Sequence, residues 1–170
     1  AFANELAEIS KELDIDVYEV IRLANRHPRV NVLTPGPGVG GHCIPIDPWF
    51  LVEGTKSGEL VRLSRAINDK RPTIVADDAI ELLKSVDGKK IGILGVAYKA
   101  NVDDCRETPA DAILAHFNSQ GIETKYHDPF VATWDCERVE TLVEMQEWAD
   151  VLILVTDHVC YNDIDVKVPL

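Results

Sequence analysis

The chain has 170 residues, enough for one ordinary domain or two small ones, and its 46% apolar and 27% charged content is that of a soluble globular protein. A formal net charge of −12 argues against nucleic acid or an anionic membrane as partner, because both are bound through clustered Lys and Arg. No apolar run approaches the roughly 20 residues that span a bilayer, and no secretory signal is visible.

A small anionic ligand remains compatible with that charge, held by a local basic site drawn from Arg26, Arg29, Lys99 and Arg106. The four cysteines, Cys43, Cys105, Cys136 and Cys160, form no CxxC pair. A zinc ribbon or redox motif is therefore not expected, no metal is called for, and reduced thiols in the cytoplasm are.

Along the chain, Phe2, Leu6, Ile9 and Leu13 repeat at helical spacing and predict a helix over residues 2–13. No capping signal precedes it, so the chain reads as a piece of something longer. A second helix is expected from Asp16, with Glu19 at capping-box spacing and Pro28 as its limit. Residues 34–45 form a Gly/Pro loop, and Asp47-Pro48 opens a short helix. Residues 59–86 are amphipathic through Leu60, Leu63, Ile67, Ile74 and Leu82, with a kink or break expected at Pro72. So apolar a stretch needs a partner surface, either within the chain or on a second subunit.

The second half alternates strand and helix. Residues 90–95 read as a short buried strand, and Thr108-Pro109 as a strong helix start ended by Gly121. Residues 123–127 read as a strand with Asp128-Pro129 as its exit turn. Residues 144–149 read as helix and 151–155 as a buried strand, and a Val-Lys-Val strand pattern begins near the end. This order predicts an α/β fold: a helical region over 1–87, then a Rossmann-like parallel α/β domain over 88–170, with ligands at the carboxyl ends of the strands. Gly92 and Gly95 alone do not make a dinucleotide fingerprint.

Chemistry concentrates in residues 35–49, PGPGVGGHCIPIDPW. Four glycines in six positions let backbone N–H groups approach a ligand. Cys43 follows directly, and a helix starting at Asp47 would bring its positive end near the thiol and favour thiolate. Asp47 is close enough to act as a base or hold a water. On residue type alone, a lone Cys beside glycines is usually a small buried residue, and Asp47 also suits a helix cap.

The segment GPGVGGHCIPIDPWFL resembles the active-site loop of the UDP-glucose/GDP-mannose dehydrogenase family. RHPRVN at 26–31 and GVAYKANVDDCRETP at 95–109 fit the same family in the same order. RHPRVN, GGHC and DPWF together are most similar to its UDP-N-acetyl-D-mannosamine branch, and the UDP-N-acetylglucosamine branch shares much of the pattern. The resemblance implies oxidation of a sugar C6 alcohol to a carboxylate with two NAD per sugar, a homodimer or higher homo-oligomer, and a UDP-sugar substrate. It makes Cys43 the nucleophile that captures the aldehyde, and Asp47 the carboxylate that assists water. It makes His27, Arg29, Gly40, Tyr98 and Lys99 substrate-binding, with Arg29 crossing a dimer interface, and Arg106 a contact to NAD.

Each has a plainer reading. His27 suits a surface helix exit, Lys99 a solvated lysine, and Arg106 an ion pair with Asp103, Asp104 or Glu107. Asp128 suits a turn cap better than a ribose ligand. The resemblance also implies an NAD-binding domain ahead of residue 1, without which this chain is expected to be inactive. Two other functions fit parts of the sequence: a Cys-dependent acyl-transfer or hydrolase domain, and a non-catalytic nucleotide-sugar-binding or dimerisation module.

Overall fold

The structure, a computed structural model, describes residues 1–170. Helices α1 (Phe2–Glu12), α2 (Val17–Ala24), α3 (Asp47–Val52) and α4 (Glu59–Ser85) come first. Strand β1 (Lys90–Leu94), helix α5 (Pro109–Ser119), strands β2 (Glu123–His127) and β3 (Glu137–Arg138), helix α6 (Leu142–Trp148), strand β4 (Val151–Leu154) and a 3-10 turn over Val159–Tyr161 follow. The sheet is wholly parallel, in the order β3-β2-β1-β4. The chain is thus α/β, with helices ahead of a Rossmann-like unit.

Side-chain alternation along β1 sets the layers. Ile91 and Ile93 join Val151 and Ile153 in packing under Ala76, Ala79, Ile80 and Leu83 of α4 and Ile113 and Phe117 of α5. Leu94 and Leu152 pack on the other face, with Met145 of α6 and Tyr161. Gly92 sits between these: a Cβ there would lie 2.5 Å from the Met145 sulfur, so α6 rests directly on the backbone of β1.

Local signals explain the element ends. Thr108 accepts from Ala110 N–H and Pro109 fills the first helical position of α5. Gly121, at φ +69, ends the chain's helical course. Thr141 and Glu144 form the reciprocal capping box that opens α6 two residues before the expected start.

Four expectations are corrected. Asp16 caps α2 through Tyr18 N–H at 2.8 Å, but Glu19 does not complete a box; it pairs with Arg22, a charged partner one turn on. Asp47 is the first residue of α3 rather than its cap, which is Ile46 with no side-chain bond. Pro72 does not break α4: the helix is continuous over 27 residues. Its ring lies beside Gly38 of the glycine loop. Residues 165–170 are not a strand, although Leu152 N–H reaches the Pro169 carbonyl at 2.8 Å. A proline has no N–H with which to extend that ladder.

Candidate active site

The glycine loop is pinned to two helices. Asn68 of α4 accepts from Val39 N–H at 2.8 Å and donates to its carbonyl at 3.3 Å, the two-sided grip that only an amide side chain offers. Asn4 of α1 accepts from Gly36 N–H at 2.8 Å, and Arg71 donates to the Gly36 carbonyl at 3.1 Å. Both asparagines are buried. Sequence reasoning missed them, although an Asn on the inner face of an amphipathic helix is a signal that it must be satisfied there.

The next glycines press against the second half of the chain. A Cβ on Gly40 would lie 2.2 Å from the Glu107 carbonyl oxygen and 3.0 Å from Pro109. Gly41, at φ +89, would meet the Tyr98 ring at 2.8 Å. Gly40, whose backbone is expected to face a ligand, has its Cα side packed against the start of α5. Gly40→Ala should therefore destabilise the protein by about 1–3 kcal/mol. Thermal melting checks this, and an unchanged midpoint would show that the approach of loop to helix is not tight.

Cys43 emerges from this bend exposed. Its carbonyl accepts from Ile46 N–H at 3.1 Å and Asp47 N–H at 2.8 Å, the turn that launches α3. The amides expected to polarise the thiol thus engage the backbone oxygen of the same residue. The cysteine and Asp47 line one open cleft of about 720 Å³, walled by Ile44, Pro48, Leu51, Leu60 and Arg65. The plainer reading of Cys43 as a buried residue is excluded. Cys105, by contrast, is half-buried, and burial pushes its thiol up to about 11, with nearby carboxylates adding to the rise. That places it outside thiolate chemistry near neutral pH.

Tyr98 and Lys99 follow β1 and are both exposed. The Tyr98 ring against Gly41 brings this segment to within two residues of Cys43. Lys99 does not line the cysteine cleft. Arg106 is on the surface and forks onto Asp104, with its Nε at 2.9 Å and its terminal nitrogen at 2.6 Å. That ion pair holds the Asp104 carboxyl down to about 2. His27 and Arg29 are exposed on the turn after α2, where His27 Nδ1 accepts from Arg29 N–H at 3.3 Å. Neither lines the cysteine cleft.

The carboxyl ends of three strands meet in a polar cluster. Asp128, after β2, is fully buried. One of its oxygens accepts from Phe130 and Val131 N–H, closing the exit turn as expected. The other accepts from Val96 N–H at 2.8 Å, beyond β1, and from His158 Nε2 at 2.9 Å, beyond β4. Burial alone would raise its pKa, but these donors outweigh it and hold the carboxyl below the usual range.

Residues 1–70 match the central domain, and residues 92–168 the UDP binding domain, of the UDP-glucose/GDP-mannose dehydrogenase family. The chain is 44% identical over 165 residues to a UDP-N-acetyl-D-mannosamine dehydrogenase of Methanocaldococcus jannaschii, which covers 97% of the chain and 38% of that protein. It is 40% identical over 171 residues to an NDP-N-acetyl-D-galactosaminuronic acid dehydrogenase of Ralstonia solanacearum, covering 97% of the chain and 40% of that protein. A solved UDP-D-ManNAc dehydrogenase from Pyrococcus horikoshii superposes with a TM-score of 0.88 at 36% identity, over 96% of this chain and 40% of the other. The chain thus spans about two fifths of the length of these relatives.

Proposed function

The chain belongs to the UDP-glucose/GDP-mannose dehydrogenase family, and on that premise we propose that it carries the nucleophile and part of the nucleotide-sugar site of a UDP-N-acetyl-D-mannosamine 6-dehydrogenase. The observation that carries the reading is the exposed Cys43 sharing a cleft with Asp47, while the Tyr98 ring closes on Gly41 of the same loop. The reaction is assigned to a longer polypeptide that also holds an NAD-binding domain, and this chain alone to no turnover.

NAD, when bound, supplies the oxidant for both two-electron steps. Within this chain neither glycine of β1 and its exit offers a phosphate cradle. Gly92 lies under Met145, and a Cβ on Gly95 would sit 2.3 Å from the Thr156 carbonyl oxygen. Arg106 is the residue that fits a contact to NAD, since its guanidinium is exposed and its Asp104 partner can be exchanged for phosphate.

The rest follows from the chain's own groups. The Cys43 thiolate forms a C–S bond to the aldehyde carbon of the half-oxidised sugar as the C=O π bond opens, and the proton that the thiol gave up is returned to that carbon's oxygen, giving a thiohemiacetal. The thioester formed by the second oxidation is cleaved by water: Asp47 takes one of its protons, the other goes to the leaving sulfur, and the carboxylate product departs with the Cys43 thiol restored. Tyr98 and Lys99 sit at the carboxyl edge of the sheet beside the point where the chain order reverses between β1 and β4, the usual position of a ligand in such sheets. We assign them, with Gly40, His27 and Arg29, to the UDP-sugar. Arg29, exposed and not part of the cleft lining, acts across a homodimer contact. The exposed apolar side chains of α3 and the start of α4, Phe50, Leu51, Leu60 and Leu63, supply a surface for a second copy.

Lys99→Ala should weaken UDP binding by about 10- to 100-fold, the value of one charge-assisted contact to phosphate. Calorimetric titration with UDP checks it, and an unchanged affinity would remove Lys99 from the site. The reading as a whole is tested by NADH yield from UDP-N-acetylmannosamine in a protein that includes the NAD-binding domain. Two NADH per sugar are expected. Activity on UDP-glucose alone would reassign the substrate.

A further inference from the structure

The loop that carries Tyr98 and Lys99 is anchored on both sides of Lys99, and Tyr98 itself donates its N–H to the Asp104 carbonyl at 2.9 Å. Val96 N–H and Ala97 N–H both donate to Asp128, at 2.8 and 3.3 Å. The Ala97 carbonyl accepts from Thr156 Oγ1 at 2.5 Å. On the far side Asn101 N–H donates to His158 Nδ1 at 2.8 Å, and Asn101 Oδ1 accepts from Val159 N–H at 3.1 Å. Asn101 is at φ +61, the left-handed region that Asn adopts more readily than most non-glycine residues.

His158 is the hub. It is fully buried, with Phe130 and Tyr161 packed around its ring. Because Nδ1 faces an N–H donor, that nitrogen carries a lone pair, so Nε2 carries the proton and donates to Asp128 at 2.9 Å. Asp128 therefore fixes the tautomer, and the tautomer presents an acceptor to Asn101. The chain of bonds runs from the end of β2, through the segment after β4, to the loop after β1. The chemistry assigned to Cys43 and Asp47 uses none of these residues.

We propose that His158, oriented by Asp128, is a positioning residue for the nucleotide-sugar subsite: by accepting the Asn101 N–H it sets the course of the loop that presents Tyr98 and Lys99. The inference rests on the assignment of Lys99 to UDP made above. It differs from a purely structural role in one respect: the Nδ1 acceptor is what matters for the ligand, not the filling of the core or the bond to Asp128.

Two substitutions separate these. His158→Asn places an amide oxygen where Nδ1 stood and keeps the acceptor for Asn101 while losing the donor to Asp128. His158→Gln keeps a donor near Nε2 and loses the acceptor. Calorimetry with UDP should show His158→Asn within about threefold of the parent affinity and His158→Gln weakened about tenfold or more, even where both melt at similar temperatures. Equal UDP affinity in the two variants, or losses that simply follow their melting temperatures, would overturn the proposal.

Amide exchange on the unmutated protein gives a reading that needs no variant. The Asn101 N–H should be protected although its residue is exposed, and rapid exchange there would also overturn the proposal. Lys99→Ala serves as the reference. If UDP binding is absent or indifferent to that change, the underlying assignment fails and the inference with it. If Lys99→Ala weakens UDP and His158→Gln does not, the positioning role alone is lost.

Discussion

Replacing Cys43 by alanine should abolish NADH formation in a protein that joins this chain to its NAD-binding domain, by at least about 10³-fold, the scale on which removal of a covalent nucleophile acts. Serine should fare little better, since its hydroxyl is far from ionised near neutral pH while a thiol is not. Neither change should disturb the fold, because the side chain is exposed and makes no packing contribution to either core cluster. The informative outcome is therefore a melting temperature within a degree or two of the parent combined with lost turnover. Retained oxidation to the carboxylate in Cys43→Ala would end the covalent reading. It would leave the cleft shared with Asp47 as a binding feature only.

Asp128→Ala is the substitution expected to cost the most stability. The carboxylate takes N–H groups from Val96, Ala97, Phe130 and Val131 together with the His158 ring, all but the Phe130 bond buried. Alanine leaves these donors buried without a partner. Even after relaxation and water entry the loss should be about 3–5 kcal/mol, a large part of the total stability of an ordinary domain. A fall in melting temperature of about 10 °C follows. A drop of only a degree or two would mean that the strand ends are held by packing instead.

The same carboxylate gives the parent protein a direction of pH dependence. Its folded pKa is depressed, so its stabilisation is fully present above the unfolded value of about 3.9 and is lost as pH falls through the folded value. His127, whose pKa is pushed down chiefly by burial, adds an earlier loss. The unfolded chain takes up that proton first as pH drops below about 6.5. Denaturant midpoints should fall from pH 7 to 5 and fall again below about 4, with the second step smaller in Asp128→Ala.

Much of the architecture was legible because its signals are local. Thr108-Pro109, Gly121 and the apolar run of β4 act within a few residues of the structure they specify. Strand β3 was not legible: Glu137 and Arg138 carry no apolar alternation and pair only because β2 offers an edge. Pro72 marked no break for a related reason, since the packing of Ala76, Ala79, Ile80 and Leu83 against the sheet outweighs a local breaker. In the site, Cys43, Asp47 and Tyr98 could be singled out because their motifs are contiguous. The tie from Asp128 to His158 spans 30 residues and exists only once three strand ends are brought together. His158 then carries no mark in the sequence beyond standing just after a buried strand.

Helix α4 has one more consequence. Its 27 residues, about 40 Å of continuous helix, lie beneath the sheet at one end and beside the glycine loop at the other. The match to the central domain ends at residue 70, in the middle of it. A nick at that point would sever a shared beam, so neither product should keep its shape. Proteases should spare the stretch until the whole chain melts, and they should do so in a single cooperative transition.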